Sequence, residues 1–181
     1  MEIEKTNLEG CLVLKPKVFQ DKRGYFFESF NQRTFNDVTG LNINFIQDNE
    51  SFSTKGVLRG LHFQTGDKAQ AKLVRVIKGE ILDIVVDIRP GSKTYGKYFA
   101  IELTESNKKQ LFVPRGFAHG YIVLSDTAIF AYKCDNYYDK GSEGGIIFND
   151  PDLNIDWKLD EADFIVSEKD LVLPKLQDLN I

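Results

Sequence analysis

Apolar residues along this chain fall in short runs separated by turn residues, not in long helical stripes. Residues 73–77 (Leu-Val-Arg-Val-Ile) lead into Lys78-Gly79, and residues 80–88 follow as a second, largely apolar run. That pattern reads as a β-hairpin turning at Gly79. Residues 98–103 predict another strand, closed by a turn at Glu105-Ser106-Asn107. Residues 109–113 predict one more, ended by Pro114, which has no N–H to give a ladder. Residues 120–124 and 127–134 predict two further strands. Aromatic and β-branched residues are frequent, and turn signals recur roughly every 8–12 residues, the rhythm of a sandwich or barrel. Helical periodicity is confined to residues 29–38, with Phe30 and Phe35 facing inward and Gly40 as the stop signal. A short turn near residues 167–171 would be capped by Ser167. The expected fold is all-β: a jelly roll of two packed antiparallel sheets with a few short helices. The N-terminal strands are the ones expected to pair across a dimer, since sandwich edges need covering.

Length and charge narrow the classes of function. The 181 residues suit one domain, 1–181, with no internal repeat and no linker-like stretch. A chain of this size buries roughly two thirds of its unfolded surface and needs no disulfide or metal to fold. The net charge of −4 argues against nucleic acid or an anionic membrane as partner. A local group of Arg and Lys can still hold a small anion. Two cysteines, Cys11 and Cys134, are too few for a disulfide scaffold. The start, Met1-Glu2-Ile3-Glu4-Lys5, has no basic region followed by an apolar run, and no uncharged stretch exceeds ten residues. A soluble, cytoplasmic protein is expected.

Five segments carry candidate chemistry. Arg59-Gly60-Leu61-His62 places a base near an anion clamp, but strict alternation sends Arg59 and His62 to opposite faces. They share a cavity only if the strand bulges, and Gly60 sits where a bulge is easy. The alternative is a satisfied core histidine beside a surface arginine. Pro114-x-Gly116-x-x-His119, common among cupin jelly rolls, aims a second imidazole inward, and Asp83 is its candidate orienting partner. These are the only 2 histidines, without the spacing of a metal site, so no metal is expected. Lys72 shares a face with Val74 and Val76, a costly place for an ammonium unless it meets a ligand or snorkels to water. Tyr132, on a face with Ala128, Phe130 and Cys134, is either core packing or a proton donor opposite His62. Residues 19–30 interleave aromatics with Arg23 and Glu28, as a base- and phosphate-binding strand or a plain exposed one would.

Taken in order, the chain resembles the dTDP-4-dehydrorhamnose 3,5-epimerase family from about Phe19 to Leu176. The resemblance runs through Asp21-x-Arg23-Gly24-x-Phe26-x-Glu28, Gln47-x-Asn49-x-Ser51 and Gly56-Val57-Leu58-Arg59-Gly60-Leu61-His62-x-Gln64. It continues through residues 70–76, Val86-Asp87-Ile88-Arg89 and Pro114-x-Gly116-Phe117-Ala118-His119-Gly120. It ends with Tyr132-Lys133, Tyr138, Glu143-Gly144-Gly145-Ile146, Asn149-Asp150-Pro151, Trp157 and Ser167-x-Lys169-Asp170. Phe63, Tyr121 and the turn Asp139-Lys140-Gly141 depart from the usual pattern. The resemblance implies a homodimeric cupin, free of metal and cofactor, acting on dTDP-4-keto-6-deoxyglucose. It implies His62 as base with Asp170 behind it, Tyr132 as acid, and Lys72 near the C4 carbonyl. It places Arg59, Gln47, Asn49 and Lys169 around the diphosphate and sugar. Phe19, Arg23, Phe26 and Glu28 would reach the nucleotide from a partner's exchanged strands, while His119, Tyr138 and Glu143 complete the pocket. The chemistry suits those residue types: a base for the proton α to a ketone, a cation for the enolate, and a separate acid for the other face. An enzyme inverting only one centre, a metal-dependent oxygenase and a non-catalytic binder are the other readings.

Overall fold

The protein is described by a computed structural model that covers residues 1–179. In chain order the strands are β1 (Glu2–Lys5), β2 (Leu12–Lys15), β3 (Val18–Asp21), β4 (Gly24–Phe27), β5 (Gln47–Thr54), β6 (Val57–Gln64) and β7 (Lys72–Lys78). They continue with β8 (Glu80–Asp87), β9 (Tyr98–Thr104), β10 (Gln110–Val113), β11 (Phe117–Val123), β12 (Thr127–Cys134), β13 (Glu143–Gly145) and β14 (Ile165–Val166). One sheet has the order β1-β2-β10-β7-β12-β5, and the other β13-β6-β11-β8-β9 with β14 also on β6. Strands β3 and β4 form a ribbon of their own. The expected two-sheet, mostly antiparallel architecture is therefore present.

The expected hairpin over residues 73–88 is not. β7 pairs with β10 and β12 in the first sheet, whereas β8 pairs with β11 and β9 in the second. Gly79 is a corner between sheets. Its φ is +80°, and a Cβ there would lie 2.1 Å from the Thr127 carbonyl oxygen, so only glycine fits. The strand expected to open at Gly120 begins at Phe117, which puts His119 within a strand and leaves Pro114-Arg115-Gly116 as the turn.

Alternation along these strands sorts side chains into layers. Val74, Val76, Ile81, Val85, Phe117 and Phe130 meet between the two sheets. Leu82, Ile84 and Val86 point the other way and are covered by Phe148, Trp157 and Leu176 of the C-terminal segment. That cover explains why β8 is apolar on both faces. The first sheet's outer face is covered in part by α1 (Gln32–Thr39), which starts later than residue 29 because the Asn31 side chain accepts from the Thr34 N–H at 3.0 Å. It ends at Gly40, as expected. Phe35 is fully buried, its ring 5.3 Å from Phe45 and 5.4 Å from Phe112. Burial of such a ring contributes about 1.5–3 kcal/mol. Among the described residues no helix is long and apolar enough to cross a membrane.

Candidate active site

The cavity between the sheets begins with a defect in β6. His62 sits opposite His119 on β11, but Arg59 sits opposite Tyr121, so Gly60 and Leu61 together face Gly120. One extra residue is inserted, and the bulge turns both Arg59 and His62 inward while Leu58, Leu61 and Phe63 go to the outer core. Gly60 has φ +121°, and a Cβ on it would lie 2.6 Å from the Gly120 Cα. The bulge that alternation demanded is therefore built on the two glycines the close approach requires.

His62 and His119 each carry a carboxylate. His62 Nε2 lies 2.7 Å from Asp170 Oδ1, and Asp170 also accepts from the Gly60 N–H at 3.4 Å. Asp170 is fixed in turn by the Ser167 hydroxyl, which accepts its N–H at 3.2 Å, so Ser167 caps this turn as expected. Burial would raise the Asp170 carboxyl, but the His62, Gly60 and Ser167 contacts outweigh it and hold the group below its ordinary value. His119 Nε2 lies 3.0 Å from both oxygens of Asp83. Asp83 points between the sheets with Ile81 and Val85, and burial there raises its carboxyl despite His119 and Lys72.

The opposite wall comes from the first sheet. Lys72 on β7 and Tyr132 on β12 face the same cavity of about 600 Å³ as His62, His119, Arg59 and Asp170. Burial lowers the Lys72 ammonium, an effect offset in part by Cys134, Asp83 and Glu143. Burial pushes the Tyr132 phenol up to about 12. Its ring stands 5.7 Å from Phe130. Among the described residues Arg59 and Lys72 have no carboxylate in ion-pair range, whereas Arg23, Arg89, Lys133 and Lys169 each do.

An adjoining lobe shares His62, Lys72 and Tyr132 and is closed by Gln47, Asn49, Tyr138 and Glu143. The Tyr138 hydroxyl donates to Glu143 at 2.9 Å, and Lys169, on the main cavity, pairs with the same carboxylate. These two contacts overcome burial and keep the Glu143 carboxyl low. Phe19, Arg23 and Phe26 are not brought together with this group. They line a separate groove on the β3–β4 ribbon, with Arg23 bound to Asp21 at 2.6 Å. Glu28 is exposed and accepts from Asn31 at 3.1 Å. Residue patterns missed β5 as a strand, and with it Ser53, whose hydroxyl accepts from Arg59 at 3.2 Å. The inward alternation of Gln47, Asn49, Ser51 and Ser53 was the available signal. Among the described residues no group of three or more His, Cys, Asp or Glu side chains is arranged to hold a metal ion.

A β-sandwich with a histidine–carboxylate pair on one wall, a tyrosine and a lysine on the other, and an arginine with no carboxylate in ion-pair range among the described residues has the make-up of a cupin-type acid–base isomerase. The sequence pattern of the dTDP-4-dehydrorhamnose 3,5-epimerase family matches residues 5–178, and the chain belongs to that family. The Shigella flexneri enzyme of that name is 49% identical over 171 residues, covering 94% of this chain and 93% of that one. The crystal structure of the Elizabethkingia anophelis enzyme superposes with a TM-score of 0.96 at 55% identity, covering 100% of this chain and 99% of that one. The Legionella pneumophila enzyme, solved with dTDP-4-keto-L-rhamnose, gives 0.95 at 44% identity, covering 99% and 94%.

Proposed function

We propose that this chain inverts C3 and C5 of dTDP-4-keto-6-deoxyglucose, with His62 as the base and Tyr132 as the acid. The observation that carries this reading is the placement of His62, 2.7 Å from Asp170, and of Tyr132 on opposing walls of one cavity. His62 removes the proton on the carbon next to the C4 ketone, and the electron pair moves to O4 as an enolate. Asp170 holds the imidazole ring in place and stabilises the imidazolium that forms. Lys72, a cation of this cavity with no carboxylate in ion-pair range among the described residues, stabilises the O4 charge. Tyr132 stays protonated, because burial holds its phenol near 12, and returns a proton to the other face. An α-carbon of a ketone is a far weaker acid than a phenol, so that transfer runs downhill. Each inversion leaves His62 protonated and Tyr132 ionised, and solvent resets both before the second centre reacts.

Arg59, Gln47, Asn49 and Lys169 are the groups for the diphosphate and sugar, with His119, Tyr138 and Glu143 completing the pocket and Asp83 orienting His119. Phe19, Arg23, Phe26 and Glu28 serve the nucleotide of a partner subunit in a homodimer. Support comes from their ribbon, where Phe19 is 54% and Phe26 70% exposed, an apolar surface that needs a cover. Light scattering at micromolar concentration tests the dimer, and a monomer would overturn it. Two buried free thiols and a nucleotide-sugar substrate fit the cytoplasm.

A 3′-monoepimerase from Streptomyces bikiniensis shares the fold with a TM-score of 0.89, but at 30% identity. Turnover in heavy water separates its reaction from this one. Deuterium at both C3 and C5, read by NMR, is the expected result. Label at one carbon favours a single-centre enzyme, and no label with binding intact overturns the proposed reaction.

A further inference from the structure

We propose that Ser53 is a positioning residue that aims Arg59 at the substrate's diphosphate without neutralising it. The inference rests on the reading that Arg59 meets the diphosphate. Ser53 lies on the inward face of β5 and is 5% exposed. Its hydroxyl oxygen accepts two bonds from one guanidinium, from Arg59 Nε and Nη2, each at 3.2 Å. A guanidinium has five N–H groups in a fixed plane. Two of them are taken by Ser53, and of the three that remain, one on each Nη points off the free end of the group. Those are the groups that make a two-pronged contact with phosphate oxygens.

The nature of the holding group matters as much as the geometry. Three other arginines are held by carboxylates: Arg89 by Asp87 at 2.7 Å, Arg115 by Asp135 at 2.9 Å and Arg23 by Asp21 at 2.6 Å. A carboxylate at position 53 would hold the same edge of Arg59 but cancel the charge that draws the anion. A neutral hydroxyl fixes the long, rotamer-rich side chain and leaves its charge whole. Serine also fits the space, because Ser53 faces the small Ala128 across β5 and β12.

The test is dTDP binding by calorimetry with steady-state kinetics, on Ser53→Ala, Ser53→Thr, Arg59→Ala and the Ser53→Ala/Arg59→Ala pair. Ser53→Ala is expected to weaken dTDP binding and raise KM about tenfold, with kcat within about twofold. Ser53→Thr, which keeps the hydroxyl and suits a strand, is expected to recover most of the loss. On the Arg59→Ala background Ser53→Ala is expected to add nothing. If Arg59→Ala weakens binding and Ser53→Ala does not, the role of Ser53 is overturned while that of Arg59 stands. Additive losses in the pair, or a fall in kcat and melting temperature with KM unchanged, overturn it too. If Arg59→Ala leaves dTDP affinity unchanged, the reading of Arg59 fails and the inference fails with it.

Discussion

The cavity holds two histidine–aspartate pairs side by side, on residues that face each other across β6 and β11. In one, His62 is 29% exposed and Asp170 4%. In the other, His119 is 6% exposed and Asp83 0%. The same two functional groups are thus built once half-open and once nearly sealed. Asp170 arrives from the C-terminal segment, where a glycine N–H and a serine hydroxyl help keep it ionised. Asp83 is part of a core strand, where burial raises its carboxyl despite His119 and Lys72. In the proposed reaction the open pair takes a proton from the substrate and passes it to water. In that reaction the nearly sealed pair holds the His119 ring in one orientation at the cavity wall. Pairing a histidine with a carboxylate does not by itself make a base, and on the proposed reading access separates the two pairs.

Substitution should separate the two most sharply in turnover. His62→Asn is expected to lower kcat by about 10³-fold while leaving dTDP binding within about twofold. His119→Gln, whose amide nitrogen takes the place of Nε2 beside Asp83, is expected to lower kcat by less than about tenfold. Equal losses in a coupled reductase assay would erase the distinction between the pairs. A smaller effect concerns the cation on the facing wall. Lys72→Met is expected to lower kcat about a hundredfold through loss of enolate stabilisation. It should also raise stability at neutral pH by about 1 kcal/mol, since a buried ammonium is removed. The native pKa of Lys72 lies below its ordinary value, so the folded state binds that proton less tightly than the unfolded chain does. Its penalty is present in full below the native pKa and fades as pH rises through it toward the ordinary value. The stability gap between Lys72→Met and the parent should therefore narrow on the alkaline side. A constant gap in denaturant titrations from pH 7 to pH 10 or so would contradict this.

Much of this arrangement is legible in the order of residues alone. The β12 face bearing Phe130, Tyr132 and Cys134, the end of β10 at Pro114 and the helix stop at Gly40 follow from local pattern. So does the need for a bulge between Arg59 and His62. The hairpin at Gly79 does not form, although an apolar run, a glycine and a second apolar run look alike whether the chain folds back or crosses to the other sheet. Only the pairing of β7 with β10 and β12 decides, and that is tertiary. Asp170 lies 108 residues from His62, so no spacing rule joins them, and only the family resemblance does. Ser53 escapes because β5 carries polar residues on both faces and has no hydrophobic alternation to mark it. Its inward face is polar because it lines a cavity.

The division of labour between the two walls is the central claim, and isotope exchange by two variants in heavy water tests it most directly. His62→Asn should wash no deuterium into C3 or C5 of the 4-keto sugar. Tyr132→Phe should still admit deuterium, because His62 returns a proton to the face it came from, but should yield little inverted product. Label entering under His62→Asn, or inversion by Tyr132→Phe at the parent rate, would contradict that division.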